Sequence, residues 1–197
     1  IDEFQDTDPA QYQIFSRIFT GPGDLDHDQQ QMPFFMIGDP KQAIYAFRGG
    51  DIFAYLSASK ESDQRFTLEK NYRSAPLMID AVNDLFSLEE NPFLFEQIEF
   101  TRVTSPQTAV NRLVDKGGAV PPLQFSFVSR DTFVLDSRGY IKKEAALKEI
   151  PRLLAADIIS ILNSDKRLLE GSGEQTFPRK ITPGDMAVLV RTNSQAE

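Results

Sequence analysis

The sequence predicts an α/β fold in which short strands and helices alternate around a parallel sheet. Two short apolar runs, residues 33–37 and 185–191, have the look of strands buried on both faces. Between them lie stretches whose apolar residues recur at three- and four-residue steps, as helices require. Polar clusters follow the apolar runs directly, which is where open α/β sheets hold their ligands.

The elements follow in order. Asp8, Pro9 and Gln11 form a helix start, with a side-chain acceptor at the cap, proline at the first position and an amide placed to reach back. Tyr12, Phe15, Ile18 and Phe19 share one face of the helix that follows. Gly21 to Gln31 is polar and predicts an exposed loop. Pro33 to Ile37 is a strand ended by Gly38-Asp39, residues 40–48 are a loop or short helix, and Asp51 to about Lys60 is helical. Phe66-Thr67-Leu68 predicts a brief strand. Ser74 is a cap candidate for a helix with Met78, Val82, Leu85 and Phe86 on its apolar face. Composition then shifts: residues 88–142 carry Pro, Gly and Ser with short alternating runs such as Leu123 to Phe127, which predicts an irregular insertion with edge strands. Lys143 to Asn163 is helical, Gly171 to Pro178 a loop, Asp185 to Arg191 a buried strand, and Asn193 or Ser194 begins another helix.

With 197 residues and 41% apolar content, the chain has enough material for one good core or two small ones. No apolar run approaches the roughly 20 residues that span a bilayer, and Ile1 to Phe4 carry neither a basic region nor a signal-peptide core. The expectation is a cytoplasmic protein with no membrane partner. Zero cysteines exclude disulfides, iron–sulfur ligation and thiolate zinc, leaving oxygen or histidine ligands. Magnesium fits that set. Asp24, Asp26 and Asp28 imitate the opening of a calcium loop, but Gln29 stands where glycine is needed and Phe35 where glutamate is needed. His27, the only histidine, has no second histidine to share a metal.

A formal charge of −8 argues against nucleic acid, because phosphate neutralisation normally uses a basic surface. The acidity is concentrated: residues 1–63 hold eleven Asp/Glu against four Lys/Arg. Stacking of bases on aromatic rings, worth about 1–3 kcal/mol per base, needs no local positive charge. Charge alone therefore does not exclude DNA.

Three clusters carry chemistry. Asp2 and Glu3, two carboxylates after an apolar residue at a strand end, match the arrangement of nucleotide hydrolases: one holds the magnesium shell, the next orients or deprotonates the attacking water. The same pair also reads as a solvated acidic turn capping a helix. Gly38 to Asp51 combines a sheet-end turn, the amide of Gln42, the aromatics Tyr45 and Phe47, Arg48 and a glycine pair. Aromatics interleaved with cations make a base-stacking platform, although Tyr45 and Phe47 also read as core side chains. Leu68 to Ser74 places Tyr72 and Arg73 just before a helix, or on a bland surface turn.

In order and wording these clusters resemble superfamily 1 DNA helicases of the UvrD/Rep kind. Asp2-Glu3-Phe4-Gln5-Asp6-Thr7 is similar to their motif II, the Walker B element; Gly38 to Gly49 to motif III; Leu68 to Ser74 to motif IV. Asp185 to Ala196 resembles a strand, turn and helix of their second RecA-like domain. Within the superfamily, the run from Gly38 to Phe53 resembles the beta-chain family of exodeoxyribonuclease V. The resemblance implies a RecA-like (P-loop NTPase) parallel sheet in parts of two tandem domains. Residues 1–63 would be the C-terminal part of the first and 64–197 the N-terminal part of the second, with the insertion at about 88–142. It implies ATP and Mg2+ as cofactors and an ATP-dependent helicase and exonuclease subunit as the parent. The substrate implied is DNA, single-stranded and at double-strand ends, in recombinational repair, with the gamma and alpha subunits as partners.

Residue roles come from the same resemblance. Asp2 would organise the metal and Glu3 the hydrolytic water. Gln42 would sense the γ-phosphate, Tyr72 would stack on adenine and Arg73 would act as an arginine finger. Tyr45, Phe47 and Arg48 would contact DNA, with Phe47 standing where many relatives have tryptophan. No Gly-x-x-x-x-Gly-Lys-Ser/Thr phosphate loop occurs in the chain. Motifs V and VI and a nuclease domain are expected beyond it, so the chain reads as a fragment that is inactive alone. Two other readings share the fold: a non-catalytic scaffold, disfavoured by the presence together of Asp2, Glu3, Gln42 and Arg73, and an RNA-directed ATPase, which no residue here separates from a DNA one.

Overall fold

The structure, a computed structural model, describes residues 1–19, 33–44, 50–93, 95–116, 118–172 and 175–196. The chain divides into two compact units. The first comprises Ile1–Glu69 and Phe86–Arg102, the second Lys70–Leu85 and Val103–Glu197.

In the first unit, α1 (Pro9–Phe19) begins as its sequence dictates. Asp8 Oδ1 accepts from the backbone N–H groups of Ala10 and Gln11 at 2.8 and 2.9 Å, and Gln11 Oε1 accepts from Asp8 N at 3.3 Å. Orphan amides of the first turn are satisfied from both directions. α2 (Ile52–Glu61) is capped by Asp51, whose Oδ1 accepts from Phe53 N. The core forms around Phe4, which is 2% exposed; its ring meets Tyr12 edge-on at 5.8 Å and Tyr55 at 5.9 Å, near the buried Ala54 and Ala58 of α2. Tyr12 donates to Glu61 at 2.7 Å. Burial, reinforced by that carboxylate, pushes the Tyr12 hydroxyl up to about 12, so it remains a donor at neutral pH.

In the second unit, α3 (Pro76–Phe86, all but its last residue) buries Ile79 and Asn83. Asn83 imitates a strand, donating to Val103 O at 2.7 Å and accepting from Val103 N at 3.2 Å. The amides before and within its first turn are met by Asn71 and Asn111: Asn71 Oδ1 accepts from Arg73 N and Ser74 N, and Asn111 Oδ1 from Leu77 N. The predicted cap Ser74 is thus itself held by Asn71. α4 spans Lys143–Asn163 as expected, with Pro151 inside it.

The sheet departs from the prediction. β1 (Leu113–Asp115), β2 (Gly118–Ala119), β3 (Arg167–Ser172) and β4 (Gln175–Lys180) pair in the order β2-β1-β3-β4, antiparallel throughout. Residues 171–178, predicted as a loop, lie largely in the β3–β4 hairpin. Pro178 sits opposite Leu169, tolerated because β4 is an edge strand whose missing N–H leaves no inner ladder broken. Gly171, at φ 105°, has no room for a side chain: a Cβ there would meet Gln175 O at 2.1 Å.

The two runs predicted as buried strands are neither strands nor buried. Phe35 is 69% exposed, Ile37 60% and Leu189 99%. A strand in the middle of a parallel sheet needs a neighbour on each side and a layer on each face. Among the described residues, 186–190 has no paired neighbour, and 33–37 has residues 1–4 on one side alone. Among the described residues, same-direction pairing is confined to that contact and to an isolated bridge between Lys70 and Thr104. Residues 66–68 and 123–127 also form no strand, leaving Phe66, Leu68, Phe125 and Phe127 exposed. Asn193–Gln195 closes into a 3-10 turn. Within the described residues, no helix is long and apolar enough to cross a membrane.

Candidate nucleotide-hydrolysis site

Residues 1–4 run beside residues 35–37 in the same direction. The Ile1 amino group donates to Phe35 O at 2.7 Å, Ile37 N to Ile1 O at 2.8 Å and Phe4 N to Ile37 O at 2.8 Å. The two turns that follow, the first entered from Glu3 and the second holding Gln42, are thereby set side by side. Phe4–Asp6 closes into a 3-10 turn, and Pro40–Gln42 into another.

Glu3 enters its turn in the left-handed region, φ 50° and ψ 43°, the one non-glycine with positive φ among the described residues. For an L-residue this conformation costs roughly 1–2 kcal/mol, and such strain gathers at functional sites. Its carboxylate stays exposed, while Glu3 N donates to Asp2 Oδ1 at 3.0 Å. Gln5, buried below, donates from Nε2 to Glu3 Oε2 at 2.5 Å and accepts at Oε1 from Asp39 N at 3.0 Å. Gly38 makes this approach possible: a Cβ there would come within 2.7 Å of Gln5 Oε1 and 3.1 Å of Phe4 N.

Asp39 organises the second turn. Its Oδ1 accepts from Lys41 N at 3.0 Å and pairs with the Lys41 ammonium at 2.7 Å; its Oδ2 accepts from Gln42 Nε2 at 3.2 Å. Burial acts to raise the Asp39 carboxyl, but the Lys41 contacts and the Gln42 amide outweigh it and hold the group below its usual range. Asp2, Glu3 and Gln42 are thus brought into one neighbourhood. Asp6 Oδ1 is buried with no hydrogen-bond partner.

A magnesium ion usually takes one or two carboxylates and fills its remaining positions with water and phosphate oxygens. Asp2 is exposed, supplies a hard oxygen and uses Oδ1 on a neighbouring amide, so it fits that requirement. Among the described residues no group of three or more His, Asp or Glu side chains that could hold a metal ion occurs.

In the second unit, Asn71 braces a turn from which Tyr72, 79% exposed, and Arg73 project. Arg73 makes no ion pair or side-chain hydrogen bond among the described residues. Tyr45, Phe47 and Arg48 lie outside the described residues, as do His27 and the Asp24–Asp28 run. The residue that the motif reading passed over is Gln5. It stands within the wording of motif II, but no periodicity marks it as buried and the motif assigned it no role.

Residues 1–63 match the family model of the UvrD/REP helicase N-terminal domain. The chain is thus similar to the UvrD-like helicases. Along its whole length it is similar to the RecBCD enzyme subunit RecB: 47% identical over 197 residues to that of Haemophilus influenzae and 38% over 199 residues to that of Escherichia coli. The corresponding subunit of Mycobacterium tuberculosis is 33% identical over 196 residues. The chain spans about 15% of the length of these relatives.

Proposed function

We propose that this chain is part of an ATP-driven DNA helicase of the RecB kind. Residues 1–63 and 64–197 would belong to two tandem RecA-like domains in which a longer protein completes the parallel sheets. The exposed apolar runs at 33–37 and 186–190 support that reading, since strands of such sheets are apolar on both faces. The parent would act at double-strand DNA ends in recombinational repair, in the cytoplasm, with exonuclease activity and in complex with the other subunits of an exodeoxyribonuclease V.

ATP hydrolysis would proceed with Glu3 as general base. It takes a proton from water as the water oxygen bonds to the γ-phosphorus and the bond to the ADP oxygen breaks. Asp2 would hold Mg2+, which would supply charge neutralisation at the phosphates when bound. Gln42 would meet the γ-phosphate, Tyr72 would stack on the adenine, and Arg73 would neutralise charge on the transferring phosphoryl group. Tyr45, Phe47 and Arg48 are proposed as DNA contacts.

The observation that carries the reading is Glu3: an exposed carboxylate on a left-handed backbone, hydrogen-bonded through Gln5 and Asp39 to the turn that bears Gln42. In the full-length protein, Glu3→Gln should leave ATP and DNA affinity intact and lower turnover about 10²- to 10⁴-fold, the contribution of a general base. Turnover close to wild type would return Glu3 to a merely structural role.

A further inference from the structure

Gln5 is 2% exposed, yet both ends of its amide are used on groups of opposite kind. Asp39 N–H can only donate and the Glu3 carboxylate can only accept, so the amide has a single orientation: Oε1 toward Asp39, Nε2 toward Glu3. Asp39 in turn takes the Gln42 amide on Oδ2. A continuous chain of hydrogen bonds therefore runs from Glu3 through Gln5 and Asp39 to Gln42.

We infer that Gln5 is a positioning residue of the hydrolytic site, fixing the Glu3 carboxylate and tying its placement to the Gly38–Gln42 turn. This rests on the reading of Glu3 as the base. An exposed glutamate has three side-chain torsions to explore, whereas a base must stand within about 2.6–3.2 Å of the proton it removes. Engaging Oε2 restricts those torsions and leaves Oε1 for water.

The test is a pair of variants in the full-length protein, read by steady-state ATP hydrolysis. Gln5→Glu preserves volume and the acceptor for Asp39 N, but sets a second carboxylate against Glu3. Gln5→Met loses both bonds without repulsion. A residue acting through Glu3 makes Gln5→Glu the worse of the two, with kcat down about 10- to 100-fold, the scale of outer-shell partners elsewhere. The KM for ATP should change by no more than about twofold. If Gln5 merely braces residues 38–39, Gln5→Glu keeps that brace and is the milder variant. That reversed order, or a raised KM with normal kcat, overturns the inference.

Glu3→Gln separates the two layers. Should turnover survive Glu3→Gln, the reading of Glu3 fails and this inference with it. Should Glu3→Gln abolish turnover while both Gln5 variants keep a wild-type kcat, the inference alone fails. If Gln5→Glu does not fold, the double exchange Glu3→Gln with Gln5→Glu decides, because it again opposes an amide to a carboxylate. A regained melting temperature supports the inference; one no higher than that of Gln5→Glu overturns it.

Discussion

Arg73 is the residue whose functional and structural roles predict the most different outcomes. It leaves a turn pinned by Asn71, stands exposed and makes no ion pair or side-chain hydrogen bond among the described residues. Its removal should therefore change the melting temperature little, as at most surface sites, where effects stay within about 0.5 kcal/mol. A cation that meets the phosphoryl group mainly as charge develops there contributes to the transition state more than to the ground state. In the full-length protein, Arg73→Ala should lower ATP turnover by about 10³-fold or more with ADP affinity nearly unchanged. Lysine should rescue poorly, since a single ammonium cannot reproduce the planar fork. A near-normal Arg73→Lys, or an Arg73→Ala that unfolds first, would remove the arginine finger. The turn that presents Tyr72 and Arg73 was legible as a motif, but its anchor was not, because Asn71 looks like any polar loop residue until its carbonyl is seen to hold two amides.

At the scale of elements, the β3–β4 hairpin is joined to the turn after it by one arginine. Arg179 forms a two-pronged contact with Asp185, 2.6 Å from Nη1 and 2.5 Å from Nη2, and reaches Glu170 at 3.2 Å. Asp185 also accepts from Thr182 N and Oγ1. Isolated surface pairs contribute little, but a bidentate contact within a network, with side chains 29% and 17% exposed, has the geometry that does contribute. The Arg179 guanidinium first, and the Thr182 donors after it, hold the Asp185 carboxyl far below its ordinary range. A carboxyl depressed in the folded state stabilises above its unfolded value, and that contribution fades as pH falls below about 4. Asp185→Asn should therefore melt earlier than wild type at neutral pH, and the gap should narrow steadily on acidification. Circular-dichroism melts across that range would show it; a gap independent of pH would mean that the ion pair is not its source. α1, by contrast, was readable down to its capping box, because caps and periodicity are local. The hairpin was not, since Gly171 and Pro178 signal a loop unless one knows that β4 lies at an edge.

For the whole molecule, a sequence without a phosphate loop predicts that the 197-residue chain alone neither hydrolyses ATP nor binds it tightly. Calorimetry on the isolated chain should give no binding at micromolar ATP, and clear micromolar affinity would sink the proposal that a longer protein completes the site. The exposed runs carry the same message for the fold: Leu189 and Phe35 have the composition of buried strands without the neighbours to bury them. By itself the sequence determined the helices α1 to α4, the family resemblance, and the motif residues Asp2, Glu3, Gln42, Tyr72 and Arg73 as candidates, since each is written in local spacing or wording. Only the tertiary structure decided that the sheet within the described residues is antiparallel, that Asn71 and Asn111 meet the amides at the start of α3, and that Gln5 joins Glu3 to the turn of Gln42. The reason is physical: these depend on hydrogen bonds between residues far apart in sequence, 34 positions for Gln5 with Asp39 and for Leu77 with Asn111 and 57 for Leu169 with Arg112, and no local pattern encodes which distant amide will face which carbonyl.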